Sequence, residues 1–229
     1  MNQRSKTAAR IAAEFSVIVV GVLVALAVDG WVQALDDSRL EREYLVRLEA
    51  DLVLDSANIA AARIESGRAH EGLMHFRSLW EARATLDADS IVTTYLGART
   101  VGGEPVAAKS TFEELKATGN LRLLTSTSVR EAVLDYHFFA DEQRARLLTS
   151  RERGRERYWE AFWETGIMMG PGAQPTAEEM LGRLASVPDM ESLVIRAMSY
   201  HANRSTLWLP QWGERIANTL AAVREDHSR

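Results

Sequence analysis

Fourteen consecutive residues near the start of the chain, Phe15 to Val28, carry no charge. A run of this kind is unstable in water, so it must be buried in protein, cross a membrane or be removed. Extended to its apolar limits it covers Ile11 to Val32. As a helix those 22 residues reach roughly 33 Å, against a hydrocarbon core of about 30 Å. Ten of the central fourteen are Phe, Val, Ile or Leu. At about −0.3 to −0.6 kcal/mol apiece they contribute on the order of −3 to −6 kcal/mol towards insertion. Glu14 and Asp29 stand near the two ends, where a carboxylate reaches interfacial water. Trp31 falls where an interfacial aromatic anchor belongs. The competing reading is a cleaved signal peptide: Arg4, Lys6 and Arg10 form a basic start, and Ala25-Leu26-Ala27 has the small-x-small form of a cleavage site. Glu14 argues for retention, because an acid at that junction is foreign to signal peptides.

Flanking charge sets the expected orientation. Three basic residues and no acid precede the span, while Asp36, Asp37, Glu41 and Glu43 follow it. Basic flanks stay cytoplasmic. The expected topology is a cytoplasmic tail over residues 1–10, a transmembrane helix over 11–32, a charged helical stalk over 33–43 and an extracytoplasmic domain over 44–229. Three lysines against 24 arginines fit a GC-rich bacterial genome, which makes the membrane the bacterial inner membrane and the outer compartment the periplasm. The absence of cysteine excludes a disulfide framework and thiolate metal sites. A net charge of −5 with mixed signs gives no general attraction to nucleic acid.

Beyond the span nearly every segment has helical periodicity. Leu45, Leu48, Leu52 and Ile59 recur at three, four and seven residues, broadened by Tyr44. Leu73, Phe76, Leu79 and Trp80 follow on the same or a successive helix, since Gly67 and Gly72 make a break possible there. Residues 89–96 predict a short helix and residues 97–109 a loop. Ser110-Thr-Phe-Glu113, Ser128-Val-Arg-Glu131 and Thr176-Ala-Glu-Glu179 have the form of capping boxes. Gly119 supplies a left-handed helix stop. The second box opens the longest predicted helix, about Val129 to Thr165. Residues 166–175 predict a loop, Pro188 ends a short helix, and Met190 onward is helical with a kink or break at Pro210. The expected fold is all-α: one N-terminal transmembrane helix continuing into an antiparallel helical bundle.

The apolar span running into Asp29-Gly30-Trp31 and on to Glu43-Tyr44-Leu45-x-x-Leu48-x-x-Asp51-Leu52 resembles an uncharacterised bacterial family of N-terminally membrane-anchored helical proteins. Thr111-Phe-Glu-Glu-Leu115 through Gly119-Asn-Leu-Arg122, with Val129 and Tyr136, carries the rest of the likeness. The resemblance implies the anchor and a helical extracytoplasmic domain; it implies no activity.

No zincin, P-loop, nucleophile-elbow or Rossmann pattern occurs, and no catalytic, metal or cofactor site is expected. His70 and His75 are about 140° apart around a helix and do not converge on one metal. His137 and Asp141 share a face at i and i+4, which predicts a helix-surface hydrogen bond sooner than a ligand pair. Glu113 and Glu114 fit the first turn of a helix, where acids complement its dipole. The arginines at 144, 146, 151, 153, 155 and 157 alternate with acids, as on a solvated helix. Two aromatic groups, Tyr158, Trp159, Phe162 and Trp163, then Leu207, Trp208, Leu209 and Trp212, are core by default. Trp159, Trp163, Trp208 and Trp212 are the candidate partner surface. Within the span Glu14, Ile18, Gly21 and Ala25 fall on one face, and Gly21-x-x-x-Ala25 lets a neighbouring helix approach closely.

The expected role is a non-catalytic accessory or scaffold subunit that braces a larger inner-membrane complex (respiratory, transport or photosynthetic) from its periplasmic face. Its partners are then the bilayer and other integral-membrane subunits, not nucleic acid. The alternative is a periplasmic helical sensor or small-molecule-binding module.

Overall fold

One helix, α1 (Gln3–Glu81), takes up 79 residues and passes through every feature predicted for the first third of the chain. The computed structural model describes residues 3–98, 104–153, 158, 160 and 175–227. At about 1.5 Å per residue α1 is roughly 118 Å long, far more than a membrane needs. Its apolar N-terminal part is long and hydrophobic enough to cross a membrane, and its described side chains pack against nothing else in the chain. Of the two arrangements left open by the sequence, one helix or two in succession, the chain takes the first. Gly67 and Gly72 both lie inside continuous helix, and Gly72 has a packing reason: a Cβ there would sit 3.2 Å from the Ala98 Cα.

The second half of α1 organises the rest. Leu45, Leu48, Leu52, Asp55, Ile59, Ala62, Ser66, Ala69, Leu73, Phe76 and Trp80 alternate at spacings of three and four, and all are buried. Such spacing keeps one stripe facing its neighbours over many turns. The stripe serves two apolar cores in succession. The first gathers Tyr44 to Ala62 against Phe112, Leu115, Val133, Tyr136, Leu147, Trp212 and Ile216. The second gathers Leu73, Phe76 and Trp80 against Ile91, Tyr95, Tyr158, Leu184, Met190 and Val194.

The remaining elements are α2 (Ala88–Gly97), α3 (Ser110–Ala117), a 3-10 turn (Asn120–Leu123), α4 (Thr127–Arg151), α5 (Ala177–Ser186), α6 (Met190–Asn203) and α7 (Leu209–His227). A π-helical turn, Arg204–Trp208, joins α6 to α7. It stands where a kink or break was expected at Pro210: the chain widens just before the residue that has no N–H to donate, and α-helix resumes at Leu209 without a gap. α7 lies between α1 and α4 and runs against both. Arg224 pairs with Glu49 at 2.7 Å while Gly213 lies beside Ile59, and Thr219 reaches the Ala132 carbonyl while Arg215 covers the Phe139 ring. α6 runs against α1 further along, with His70 Nδ1 3.1 Å from the Met198 carbonyl and Arg77 3.2 Å from Glu191. Among the described residues there is no strand.

The capping signals meet different fates. Thr176 and Glu179 form the predicted reciprocal box. Ser110 is instead the first helical residue of α3, whose cap position, Lys109, makes no side-chain capping hydrogen bond. The cap of α4 is Ser126, two residues before the predicted Ser128. α4 is not the longest helix either, because α1 exceeds it; most of its predicted continuation from Arg151 to Thr165 lies outside the described residues. The predicted loop around 166–174 and the Gly102-Gly103 turn lie outside the described residues.

Candidate functional site

The most unusual residue in the stripe of α1 is Asp55, a carboxylate 2 % exposed at a position where the repeat calls for an apolar side chain. Burying a carboxylate costs free energy unless donors reach it. Two do. Tyr136 donates its phenol hydrogen to Oδ2, and the Ala108 N–H donates to Oδ1 at 2.8 Å. Burial pushes the Asp55 carboxyl above its ordinary value, and the two hydrogen bonds hold back part of that rise. Burial likewise drives the Tyr136 phenol upward, and the acidic neighbour adds to it.

His137, next along α4, is 4 % exposed and stacks on Phe112 with centroids 4.0 Å apart and planes 12° from parallel. Burial, with Lys109 nearby, lowers its pKa to about 4. Its Nδ1 has no hydrogen-bond partner. The expected surface bond to Asp141 is absent because the two part company: His137 turns inward, and Asp141 pairs with Lys109 on the outside.

The segment from Glu104 to Lys109 therefore straps α1 to the later helices. At one end Glu104 and Arg204 form a buried pair at 3.7 Å, and Tyr200 donates to the same carboxylate. In the middle Ala108 meets Asp55. At the other end Lys109 meets Asp141, and the Thr111 N–H at the start of α3 reaches Asp51 at 3.4 Å. Carboxylates of α1 thus accept amides on both sides of the start of α3, while the Glu113 N–H that Ser110 was expected to cap bonds to the Lys109 carbonyl. Glu114, one of the paired acids, is held by Arg47 and by the Tyr44 hydroxyl at 3.1 Å, and Arg47 lowers its pKa. Glu113 takes the exposed partner Lys116 at 3.3 Å.

The space bounded by Leu48, Asp55, Ala108, Tyr136, His137 and Thr219 admits no water-sized sphere. Two open grooves are larger, about 360 Å³ beside Phe139 and Arg215, and about 330 Å³ between Asn58, Glu65 and Val106. Among the described residues no three His, Asp or Glu side chains converge to hold a metal ion.

The residues singled out by sequence do not meet in one place. Trp212 is 1 % exposed, inside the first core, so in this fold it offers no surface to a partner. Trp208 is half-buried, with its ring edge-on to Tyr200 at 6.2 Å. Trp159 and Trp163 lie outside the described residues. Gly21 and Ala25 are exposed on α1, and nothing stands within 4 Å of a Cβ added at Gly21. The side chains of Glu14 and Ile18 lie outside the description. Arg146 pairs with Glu142 at 3.3 Å as a solvated helix face predicts, while Arg155 and Arg157 are outside the described residues. His70 is tied to α6, His75 is exposed and His201 is buried against Tyr200. Sequence reasoning passed over Asp55, Glu104 and Arg204. Asp55 had a signal: it is the one charged residue on the Leu45-to-Ile59 repeat. Glu104 and Arg204 are separated by 100 residues and had none.

None of the protein-family models, curated proteins or solved structures compared with this chain matches it significantly.

Proposed function

We propose that the chain is a single-pass protein of a bacterial inner membrane, with its first ten residues cytoplasmic and its helical bundle periplasmic. In this reading it serves as a non-catalytic scaffold subunit bracing a larger membrane complex. The observation that carries the proposal is the continuity of α1, which leaves the candidate span and enters both cores without a break. A domain mounted this way is held at a fixed height and rotation relative to its membrane helix. That suits a brace. A module that folds around a ligand needs an interior space, and the polar centre of this bundle is closed even to water. Kinship with the bacterial anchored family that the sequence resembles belongs to the same proposal.

Extraction in mild detergent followed by mass spectrometry of co-purifying chains tests it. The expected result is recovery with one set of integral-membrane proteins in fixed ratio. Recovery of the chain free of other membrane subunits, with a small molecule bound in one of its grooves, would favour the ligand-binding alternative.

A further inference from the structure

The face of α1 turned away from both cores has its own regularity. Val46, Ala50, Val53, Ala57, Ala60 and Ile64 follow one another at spacings of four and three, and all six are exposed. At ~100° per residue this seam lies about 160° from the buried stripe. Val46, Val53 and Ile64 are 52 %, 46 % and 56 % exposed, so branched side chains stand in water along several turns. Alternation of four and three is the pattern by which one helix receives another, and alanines let the two axes approach. Lipid does not cover this face, because at about 1.5 Å per residue it lies roughly 20 to 50 Å beyond Val32.

We propose that this seam pairs two copies of the chain through their α1 helices, side by side and in register. The proposal rests on the membrane reading above, since a shared bilayer points both copies the same way and sets each seam against its own likeness. Continuity supports a second copy over a foreign helix. Counted along the wheel at ~100° per residue, Gly21, Ala25 and Ile18 lie about 20°, 60° and 80° from the centre of the seam, on the same half of α1. Between the two stretches stand Arg39 and Glu43, one turn apart and both exposed. In a parallel pair Arg39 of one copy lies one layer from Glu43 of the other, and a single polar level of this kind fixes register. Area points the same way. A strip ~10 Å wide over the ~27 Å of the outer seam is on the order of 300 Å², short of the ~800 Å² per partner that a stable interface needs. Carried down to Glu14, the strip is about 75 Å long and on the order of 750 Å².

The chain has no cysteine, so single cysteines can be placed in the full-length protein without background. Ala50→Cys and Ala57→Cys lie on the seam; Asn58→Cys and Arg63→Cys are equally exposed but off it. Oxidation in isolated membranes should convert at least half of the two seam variants into disulfide-linked dimers and at least fivefold less of the other two. Equal crosslinking at all four sites would overturn the proposal, as would a mixed disulfide with a different membrane chain. Monomers throughout, in chain recovered from membranes, would overturn the pairing and leave the anchor standing. Chain found only in the soluble fraction would overturn both.

Discussion

His137 and Asp55 are neighbours in the first core whose protonation acts on stability in opposite directions. For His137 the folded pKa, about 4, lies below its ordinary 6.5. The unfolded chain therefore binds the proton first as pH falls, and stability is lost between about 6.5 and 4. A displacement of that size corresponds to about 3 kcal/mol at full effect. For Asp55 the folded value is raised, so its contribution is present below the ordinary carboxylate value and is lost as pH rises through the folded one. His137→Phe keeps the ring on Phe112 and removes the titration. In detergent-solubilised protein, denaturant midpoints should fall from pH 7 to pH 4 in the parent. In the variant that fall should be clearly smaller, because the lowered Glu114 and Asp87 carboxyls still weaken the fold on acidification while Asp55 acts the other way. Parallel profiles for the two would show that His137 titrates normally. Tyr136→Phe tests the other half of the contact. It withdraws a donor from a buried carboxyl and should cost about 1–3 kcal/mol, read as a lower midpoint at pH 7 with the secondary structure unchanged.

Among the elements, α1 dominates, and its two interior glycines separate helix propensity from packing. Nothing lies within 4 Å of a Cβ built on Gly67, whereas one on Gly72 meets the Ala98 backbone. Gly67→Ala should therefore stabilise the protein by up to about 1 kcal/mol. Gly72→Ala should gain nothing or lose stability, because backbone must move to admit the methyl group. Equal gains at both positions, by thermal or denaturant unfolding, would refute the close packing of α2 on α1. The same glycines show why sequence left open one helix or two here: glycine weakens a helix, but the buried stripe from Leu45 to Trp80 runs past Gly67 and Gly72 without a change of phase. Tertiary burial outweighs a cost of about 1 kcal/mol per glycine. Caps show the opposite limit. The box at Thr176 is local and was legible. The start of α3 is served by Asp51, about 60 residues upstream, and no local pattern records that. Before α4, Glu41 accepts from the Thr125 N–H, and Ser126 rather than Ser128 caps the helix.

At the scale of the whole molecule, helical class and the apolar N-terminal segment were legible because both rest on periodicity and composition, which are local properties. That one helix carries two cores was not, since the segments that complete the second core, residues 91–98 and 180–197, are distant from Leu73 in the chain. The strap from Glu104 to Lys109 was equally hidden, because its meaning comes from Arg204, Asp55 and Asp141. In the proposed reading α1 is at once a retained membrane anchor and the spine of the domain outside. The most direct measurement fuses to Arg229 a reporter enzyme active only in the periplasm, then locates the activity after cell fractionation and reads the N-terminal sequence of the active species. Activity is expected in the membrane fraction, carried by a chain that still contains residues 11–32. Activity in the soluble periplasmic fraction, from a chain beginning near Val28, would contradict that reading.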